Sequence, residues 1–231
     1  MTKLVLIPSP LQDEHPLETT ARDLLVENAL LSHTLLLVEE HKVARQRWIK
    51  WGLPREAIEK FVLFNEHTQE KILPEILKEI KSGKTAYLMS DCGLPAFCDP
   101  GQRLVDACHR SGIKVTSTPF ANSISLSVAL SGFSHASFVF SGFVPIKSPD
   151  RQDWMKKELK RPETLIWMET PYRLVKILDE LIELKVKRQI FLACDLGAET
   201  ELLLRGPVEQ IRQKFSDQIK KEFVLLLAPQ N

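Results

Sequence analysis

Short apolar runs that alternate with helical segments constrain the fold of this chain more than any other feature. Five such runs, each of four or five residues, occur in the first 117 positions, at 3–7, 34–38, 61–64, 85–89 and 113–117. The segments between them carry apolar residues at helical spacing, or proline and glycine where helices begin and end. This β-α-β-α alternation predicts a parallel sheet with helices on both faces.

The second half of the chain has a different pattern. Further strands are predicted at 137–143, 164–168, 190–194, 201–204 and 223–227. The third and fourth of these are separated by a short loop that contains Gly197, which is typical of a hairpin and predicts a mixed sheet. We therefore expect an α/β chain with an N-terminal domain at 1–118 and a C-terminal domain at 119–231.

Composition excludes several classes of protein. The formal net charge of +1 gives no global attraction to nucleic acid or membrane, so any basic surface must be local. No run approaches the ~20 apolar residues of a membrane span, and the apolar run near the N-terminus is too short for a signal-peptide core. We therefore expect a cytoplasmic protein. The four cysteines lack the spacing of a zinc or redox site, so we expect no metal.

The loop at 90–101 is the strongest candidate for a functional site. It follows a predicted buried strand and precedes a predicted helix, and it holds two Asp, two Gly and two Pro. Ligands of open α/β sheets bind at the carboxyl ends of strands, where this loop lies. A plain strand-to-helix turn is the alternative.

Three carboxylates have two interpretations each. Asp91 either contacts a ligand or accepts hydrogen bonds from its own turn. Asp99 is either a ligand contact or the cap of the next helix, and the cap is the favoured interpretation because Pro100 fits the first helical position. Glu169 either contacts a ligand or interacts with the dipole of the helix that is predicted to start at Thr170-Pro171.

The common nucleotide and hydrolase motifs are missing. The region after the first strand has no glycine, so the G-x-G-x-x-G dinucleotide fingerprint is absent. There is likewise no P-loop and no G-x-S-x-G elbow. These absences argue against a Rossmann enzyme, a P-loop nucleotide enzyme and an esterase.

Two basic segments are candidates for nucleic-acid contact. One contains Lys42, Arg45, Arg47 and Lys50 together with Trp48 and Trp51. The other spans 147–161 and has six basic residues against three acidic ones. Basic helices with aromatic residues suit phosphate contact and base stacking. The alternative is a solvated face with its aromatic residues turned to the core.

Several motifs together resemble one known family. Residues 90–105 resemble the S-D-A-G-x-P-x-x-x-D-P-G-x-x-L-V motif of the ribosomal RNA small-subunit methyltransferase I family, within the tetrapyrrole methylase superfamily. In the same order, 140–145 resemble its F-x-G-F-x-P, 168–173 its Y-E-S-P-x-R, and 201–206 its E-x-x-x-R-G. The resemblance spans nearly the whole chain.

The resemblance implies a two-domain fold with S-adenosylmethionine in the cleft between the domains, and a homodimer. It implies that the cofactor contacts lie in five places. These are the first loop at 7–12, the central loop at 90–101, the turn near 122, the segment at 168 and the last strand. By motif match these are Pro8, Gly93, Leu94, Ala96, Phe97, Asn122, Ser123, Met168 and Ala228.

The resemblance also implies a reaction, namely methylation of ribosomal RNA, for this family on the ribose 2′-oxygen. Asp91 is our first choice for the base that accepts the proton of the attacking group, with Glu169 second. RNA contacts are expected from Lys42, Arg45, Lys147, Arg151, Lys156 and Lys157.

The chain departs from the family pattern at three places. Its first loop, 7–12, lacks the glycine of T-P-x-G-N-L, and the family's E-D-T-R and P-G-P-S-A are also altered, at 39–42 and 119–123. These departures leave two alternatives open. One is methylation of a small molecule such as a tetrapyrrole, and the other is a relative that binds a cofactor or partner without catalysis.

Overall fold

The computed structural model describes residues 2–120, 122–147 and 149–230. The chain divides into two compact units, Met1–Asn122 and Ser123–Asn231, which we call unit 1 and unit 2. The domain boundary at 118/119 that we expected from sequence remains a prediction.

Unit 1 contains a five-stranded sheet in which every neighbouring pair of strands is parallel, in the order β3-β2-β4-β1-β5. Its elements are β1 (Lys3–Ile7), α1 (Thr19–Asn28), β2 (Thr34–Val38), α2 (His41–Lys50), β3 (Phe61–Leu63), α3 (Gln69–Lys81), β4 (Thr85–Met89), α4 (Gln102–Arg110) and β5 (Lys114–Ser117). A short 3₁₀ helix at Arg55–Lys60 precedes β3. The predicted parallel sheet is confirmed.

Helices cover both faces of this sheet because successive side chains of a strand point to opposite faces. On one face Val5 and Ile7 pack with residues of α1 and α2 such as Leu25 and Trp48. On the other face Leu4 packs with residues of α3 and α4. Each such buried aliphatic side chain stabilises the fold by about 1.5–3 kcal/mol. The central strands, buried on both sides, read as the continuous apolar runs seen in the sequence.

Unit 2 contains a mixed sheet with the strand order β6-β7-β10-β8-β9. Its elements are α5 (Ser123–Ser131), β6 (Phe138–Phe143), α6 (Asp150–Glu158), β7 (Thr164–Glu169), α7 (Leu174–Glu183), β8 (Ile190–Cys194), β9 (Leu202–Gly206), α8 (Val208–Arg212) and β10 (Phe223–Leu227). β6 and β7 are parallel, whereas β10 is antiparallel to both β7 and β8. β8 and β9 form the predicted antiparallel hairpin.

The start of α4 differs from the prediction. The helix begins at Gln102 and its N-cap position is Gly101, with no side-chain capping bond, so Asp99 is not the cap and Pro100 precedes the first turn. The backbone of Gly101 has φ = 130°, a region that L-residues rarely adopt. The chain therefore turns sharply into the helix at the glycine, two residues after Asp99.

Pro74 lies inside α3, as the sixth of its thirteen residues. Proline has no backbone N–H, so the helix lacks one i→i−4 hydrogen bond at this position. Within the described ranges, no helix is long and apolar enough to traverse a lipid bilayer.

Candidate functional site

The candidate site of unit 1 lies where β1, β2 and β4 end, since parallel strands that are neighbours end at one edge of the sheet. The loops after β1 and β4 are joined there. The backbone N–H of Ser9 donates to the carbonyl of Gly93 at 2.8 Å, and the N–H of Gly93 donates back to Ser9 at 3.0 Å. The buried Ser9 hydroxyl also donates to the carbonyl of Ser90 at 2.7 Å. This bridge fixes the first loop against the central loop.

The loop after β2 joins the same edge through Glu39. Its Oε2 accepts a hydrogen bond from the backbone N–H of Asp91 at 3.0 Å. In return, the Asp91 carboxylate accepts a hydrogen bond from the backbone of Glu40. Three loops from three adjacent strands are therefore held together by backbone and carboxylate contacts.

Two aspartates at this edge have raised pKa values. Burial and the nearby charge of Glu39 raise the pKa of Asp91 to about 6. Burial and Glu39 also raise the pKa of Asp99 to about 7. Both carboxylates are therefore close to their titration point at neutral pH, which suits either proton transfer or the binding of a cation.

Arg47 is a cation whose charge reaches this edge, and its guanidinium already has partners. It lowers the pKa of Asp91 by its charge, but its guanidinium pairs with Asp13 and donates to the carbonyl of Pro10 at 3.2 Å. Its role is therefore to hold the first loop.

The central loop has a strained backbone. Ala96 and Cys98 adopt positive φ values of 65° and 63°, which is uncommon for residues other than glycine. Gly93 also has a positive φ, and Gly101 has no room for a side chain, because a Cβ there would lie 2.6 Å from Cδ2 of Leu88. Strain of this kind persists where the surrounding structure fixes it and is concentrated at functional sites.

Of the other predicted cofactor residues of unit 1, Pro8, Leu94 and Phe97 lie in these same loops, whereas Asn122 follows β5. Pro8 is buried and immediately precedes the Ser9 bridge. Leu94 is half-buried and Phe97 is 40% exposed. Asn122 is the last residue of unit 1.

Only some of the residues of helix α2 that were candidates for nucleic-acid contact are exposed to solvent. Lys42 and Arg45 are exposed. Trp48 is fully buried and donates from Nε1 to the carbonyl of Pro54 at 2.8 Å, and Trp51 is also buried. These tryptophans are core residues and do not form a base-stacking surface, which supports the structural alternative for the aromatic half of this segment.

In unit 2, Glu169 ends β7 and is buried in an ion-pair network. One oxygen accepts from Nη1 of Arg151 at 2.6 Å, and the other accepts from Arg173 at 2.9 Å and from the backbone of Thr170 at 2.8 Å. Glu169 is buried and both of its oxygens are already engaged, so it is not open to a substrate hydroxyl. The geometry therefore argues against the prediction that Glu169 acts as a base.

Arg151 is also corrected. Its side chain is fully buried and donates from Nε to both oxygens of Glu180, at 2.9 and 2.8 Å, in addition to Glu169. A guanidinium enclosed in this way is not accessible to a phosphate. Lys147, Lys156 and Lys157, by contrast, are exposed.

Met168 and Ala228 lie at opposite ends of the unit 2 sheet. Met168 pairs with Val224 near the start of β10, whereas Ala228 follows Leu227 at its end. Four residues of strand separate the two positions by about 13 Å. Both pack against the same core cluster, but the strand register does not bring them to one edge. Ser123, the remaining predicted residue, is the first residue of α5.

Sequence reasoning missed Glu39 and assigned Asp99 to a cap. A signal was available for Glu39, because it directly follows β2 just as Ser90-Asp91 follow β4. The alternation of strands could have placed both carboxylates at one sheet edge. Throughout the described ranges, no three His, Cys, Asp or Glu side chains are arranged to hold a metal ion.

Comparison with known proteins gives relatives along most of the chain. Residues 17–212 match the family model described as "Tetrapyrrole (Corrin/Porphyrin) Methylases". The chain is 28% identical over 220 residues to the ribosomal RNA small subunit methyltransferase I of Thermotoga maritima, which covers 93% of this chain and 92% of that protein. It is 33% identical over 171 residues to the Bacillus subtilis protein of the same name, covering 74% of this chain and 59% of that one.

Solved structures agree on the fold. A diphthine synthase aligns with 98% of this chain and 89% of its own, with a TM-score of 0.67 and 13% identity. The uroporphyrin III C-methyl transferase of Thermus thermophilus aligns with 98% and 97% of the two chains, with a TM-score of 0.57 and 17% identity. At such identities the likeness concerns the fold alone, but the family model covers most of the chain. The chain belongs to the tetrapyrrole (corrin/porphyrin) methylase family.

Proposed function

We propose that this methyltransferase transfers a methyl group from S-adenosylmethionine to the ribosomal RNA of the small subunit, on a ribose 2′-oxygen. The observation that carries the proposal is the alignment with the Thermotoga maritima protein, because it extends over more than nine tenths of both chains. An alignment of that extent includes both units rather than a shared fragment.

The chemistry of the unit 1 site fits this cofactor. S-adenosylmethionine carries positive charge on its sulfonium and its amino group, and when bound it supplies an electrophilic methyl group. Glu39, Asp91 and Asp99 form a half-buried negative cluster with raised pKa values for both aspartates. Burial is the main cause of both raised pKa values and repulsion from Glu39 adds to it, and a bound cation would offset both effects. The residues present therefore suit a cationic ligand.

We assign the contacts of the cofactor to the joined loops. Pro8, Gly93, Leu94, Ala96 and Phe97 would provide mainly backbone groups and apolar surface. Asn122, Ser123 and Met168 are retained as contacts by motif match, and Ala228 is not, because it lies at the far end of β10. Backbone contacts tolerate changes of side chain, so the altered first loop is compatible with binding.

Asp91 is the proposed base. With a pKa of about 6 it is mostly ionised at pH 7 and still basic enough to accept a proton from a ribose hydroxyl as the bond to carbon forms. The N–H of Asp91 is held by Glu39, which fixes the backbone from which the side chain projects. Alignment of hydroxyl and methyl supplies much of the remaining rate enhancement.

RNA contact is assigned to the exposed cations that remain. These are Lys42 and Arg45 on α2, and Lys147, Lys156 and Lys157 at and on α6. Lysine and arginine contacts to phosphates position a strand without reading its sequence. We also propose a homodimer in the cytoplasm, the compartment of the ribosomal substrate; light scattering of the purified chain measures the dimer.

The proposal is tested by calorimetry and by acceptor choice. S-adenosylmethionine should bind the purified chain, and absence of binding would favour a non-catalytic relative. Labelled methyl groups should then enter small ribosomal subunits and not a panel of tetrapyrroles. Label found only in the panel would contradict the RNA substrate while leaving the methyltransferase in place.

A further inference from the structure

Unit 2 contains a cavity of about 810 Å³ that lies away from the edge at which Met168 and Glu169 end β7. It is bordered by the residues that follow α5, by Gln189 before β8, and by Ala228 after β10. The backbone N–H of Ala228 donates to the carbonyl of Gln189 at 2.9 Å, so this rim is fixed by a hydrogen bond. We call this space the unit 2 cavity. Its volume falls in the range of about 300–1,000 Å³ typical of small-ligand pockets.

Three cationic side chains line the unit 2 cavity: Lys187, Arg188 and Arg205. Lys187 and Arg205 are exposed, and Arg188 is half-buried. Considering residues 2–120, 122–147 and 149–230, none of the three has a carboxylate within 4.0 Å of its charged nitrogens. The three cations outnumber Glu163, the carboxylate whose charge acts on Arg188, and this excess of positive charge favours an anionic ligand.

Arg188 has buried donors without a partner. Its Nε and Nη1 are buried and make no hydrogen bond within the described part of the chain, while another nitrogen donates to the carbonyl of Arg161. Burial lowers the pKa of Arg188, and the charge of Glu163 opposes that effect. The Oε2 of Glu163 is likewise buried and without a hydrogen-bond partner. Unsatisfied buried N–H groups cost roughly 1–3 kcal/mol each. Solvent does not touch these two nitrogens, so a ligand oxygen would bond them after the Arg188 side chain shifts toward the cavity.

Arg205 is held in place by its surroundings. Its guanidinium carbon lies 4.8 Å from the centroid of the Phe133 ring, in a cation–π contact. The neighbouring Gly132 makes room for this arrangement, because a Cβ there would approach Nη1 of Arg205 to 3.1 Å. The guanidinium plane is thus ordered at the cavity beside apolar wall residues such as Val186 and Pro229.

We propose that the unit 2 cavity binds a nucleotide, with its phosphate at Arg188 and Lys187 and its base against Arg205 and the apolar wall. A charged guanidinium donor makes a strong hydrogen bond to a phosphate oxygen, and an ordered guanidinium plane stacks on a base of any sequence. The nucleotide is either part of an RNA strand or free in solution. In the RNA case the inference rests on the proposed function, since it adds a contact for the same substrate.

The test is calorimetry of the whole chain with S-adenosylhomocysteine present at saturation, so that the cofactor site is closed to nucleotides. The ligands are uridine monophosphate, uridine, inorganic phosphate and a short oligouridylate. Uridine monophosphate should bind at least tenfold more tightly than uridine, because the phosphate provides the ionic contacts. Tighter binding of the oligouridylate identifies RNA as the source, and tighter binding of the mononucleotide identifies a free nucleotide.

Variants identify the residues responsible. Arg188→Gln and Lys187→Ala should each weaken binding of uridine monophosphate at least fivefold, and Glu163→Gln should tighten it by removal of a competing charge. Arg103→Ala, on the surface of α4, is the matched control and should change nothing. Equal affinity for uridine and its monophosphate, or unchanged binding in the exposed Lys187→Ala variant, overturns the proposal. Binding of the mononucleotide by a chain that fails to methylate RNA would sink the proposed function and leave this inference standing.

Discussion

The Oε2 of Glu39 accepts a hydrogen bond from the backbone N–H of Asp91 at 3.0 Å, across 52 positions of sequence. This contact joins the end of β2 to the end of β4, the neighbouring strand of the sheet. It also brings two carboxylates together, and the charge of Glu39 is one cause of the raised pKa of Asp91. Glu39 therefore orders the backbone of the loop after β4 and helps to raise the pKa of Asp91 in that loop.

Replacing Asp91 with Asn should abolish most of the methyl transfer. Loss of a general base lowers the rate by roughly 10²–10⁴-fold, whereas the affinity for S-adenosylmethionine should fall far less because the other loop contacts remain. Single-turnover rates and calorimetry separate the two effects. Asp106→Asn on the exposed face of α4 is the control. A variant at Asp91 with the full rate would remove this residue from the chemistry.

Asp99 should make the unfolding free energy depend on pH. Its pKa is raised from 3.8 to about 7 in the folded chain, chiefly by burial and by Glu39. The folded state therefore binds the proton more tightly than the unfolded state. The stability that this provides is complete below about pH 4 and is lost as the pH rises through 7.

Asp99→Asn should flatten that dependence, and its free energy of unfolding should exceed that of the parent chain above pH 7. Urea unfolding of both proteins between pH 4 and pH 8 gives the comparison. Parallel stability curves over this range would show that the carboxyl of Asp99 titrates normally.

Gly101→Ala should destabilise the chain by about 1–3 kcal/mol, since it places a Cβ at 2.6 Å from Leu88 in a backbone with φ = 130°. Gly112→Ala provides the control, with φ = 66° but no atom within 4 Å of the added Cβ. It should cost about 1 kcal/mol from the backbone alone. Equal losses in the thermal unfolding of the two variants would contradict the packing argument.

Arg151→Ala should cost about 3–5 kcal/mol, because it leaves the buried carboxylate of Glu169 without one of its two guanidinium partners. Arg103→Ala removes an ion pair with Glu70 in which both side chains are mostly exposed. Arg103→Ala should change the free energy of unfolding by no more than about 0.5 kcal/mol. Chemical denaturation distinguishes them, and a small loss at Arg151 would show that the network is not a stabilising element.

Reversal of two charges on α6, in the double variant Lys156→Glu and Lys157→Glu, should weaken RNA binding and reduce its salt dependence. Each lost phosphate contact lowers the slope of log K against log salt by about 0.7 for a single strand. The same reversal at Lys78 and Lys81 of α3 keeps the net charge equal and is the control. Identical salt slopes for the two double variants would rule out a specific role for α6.

Much of the fold follows from local pattern. The strands at Lys3–Ile7, Thr34–Val38 and Thr85–Met89 have the predicted bounds, because a strand buried on both faces is a continuous apolar run between polar loops. The hairpin around Gly197 follows from turn composition in the same way.

The parts of the site that sequence did not predict depend on tertiary contacts. Asp99 and Pro100 look like a helix start, and only the backbone turn at Gly101 displaces it. Arg151 looks like one of several solvent-exposed cations of a basic helix, yet it lies on the face of α6 that packs inward and meets Glu169. Ala228 was placed by motif order, which gives no information on the end of the sheet at which a residue lies.

Methyl transfer into purified small ribosomal subunits tests the central claim most directly. The subunits should come from cells that lack the corresponding modification, with S-adenosylmethionine labelled on its methyl group and nuclease digestion to identify the product. The account predicts label on the ribose of one nucleoside, present with the parent chain and Asp106→Asn and lost with Asp91→Asn. Binding of S-adenosylmethionine without any label in the RNA would contradict it.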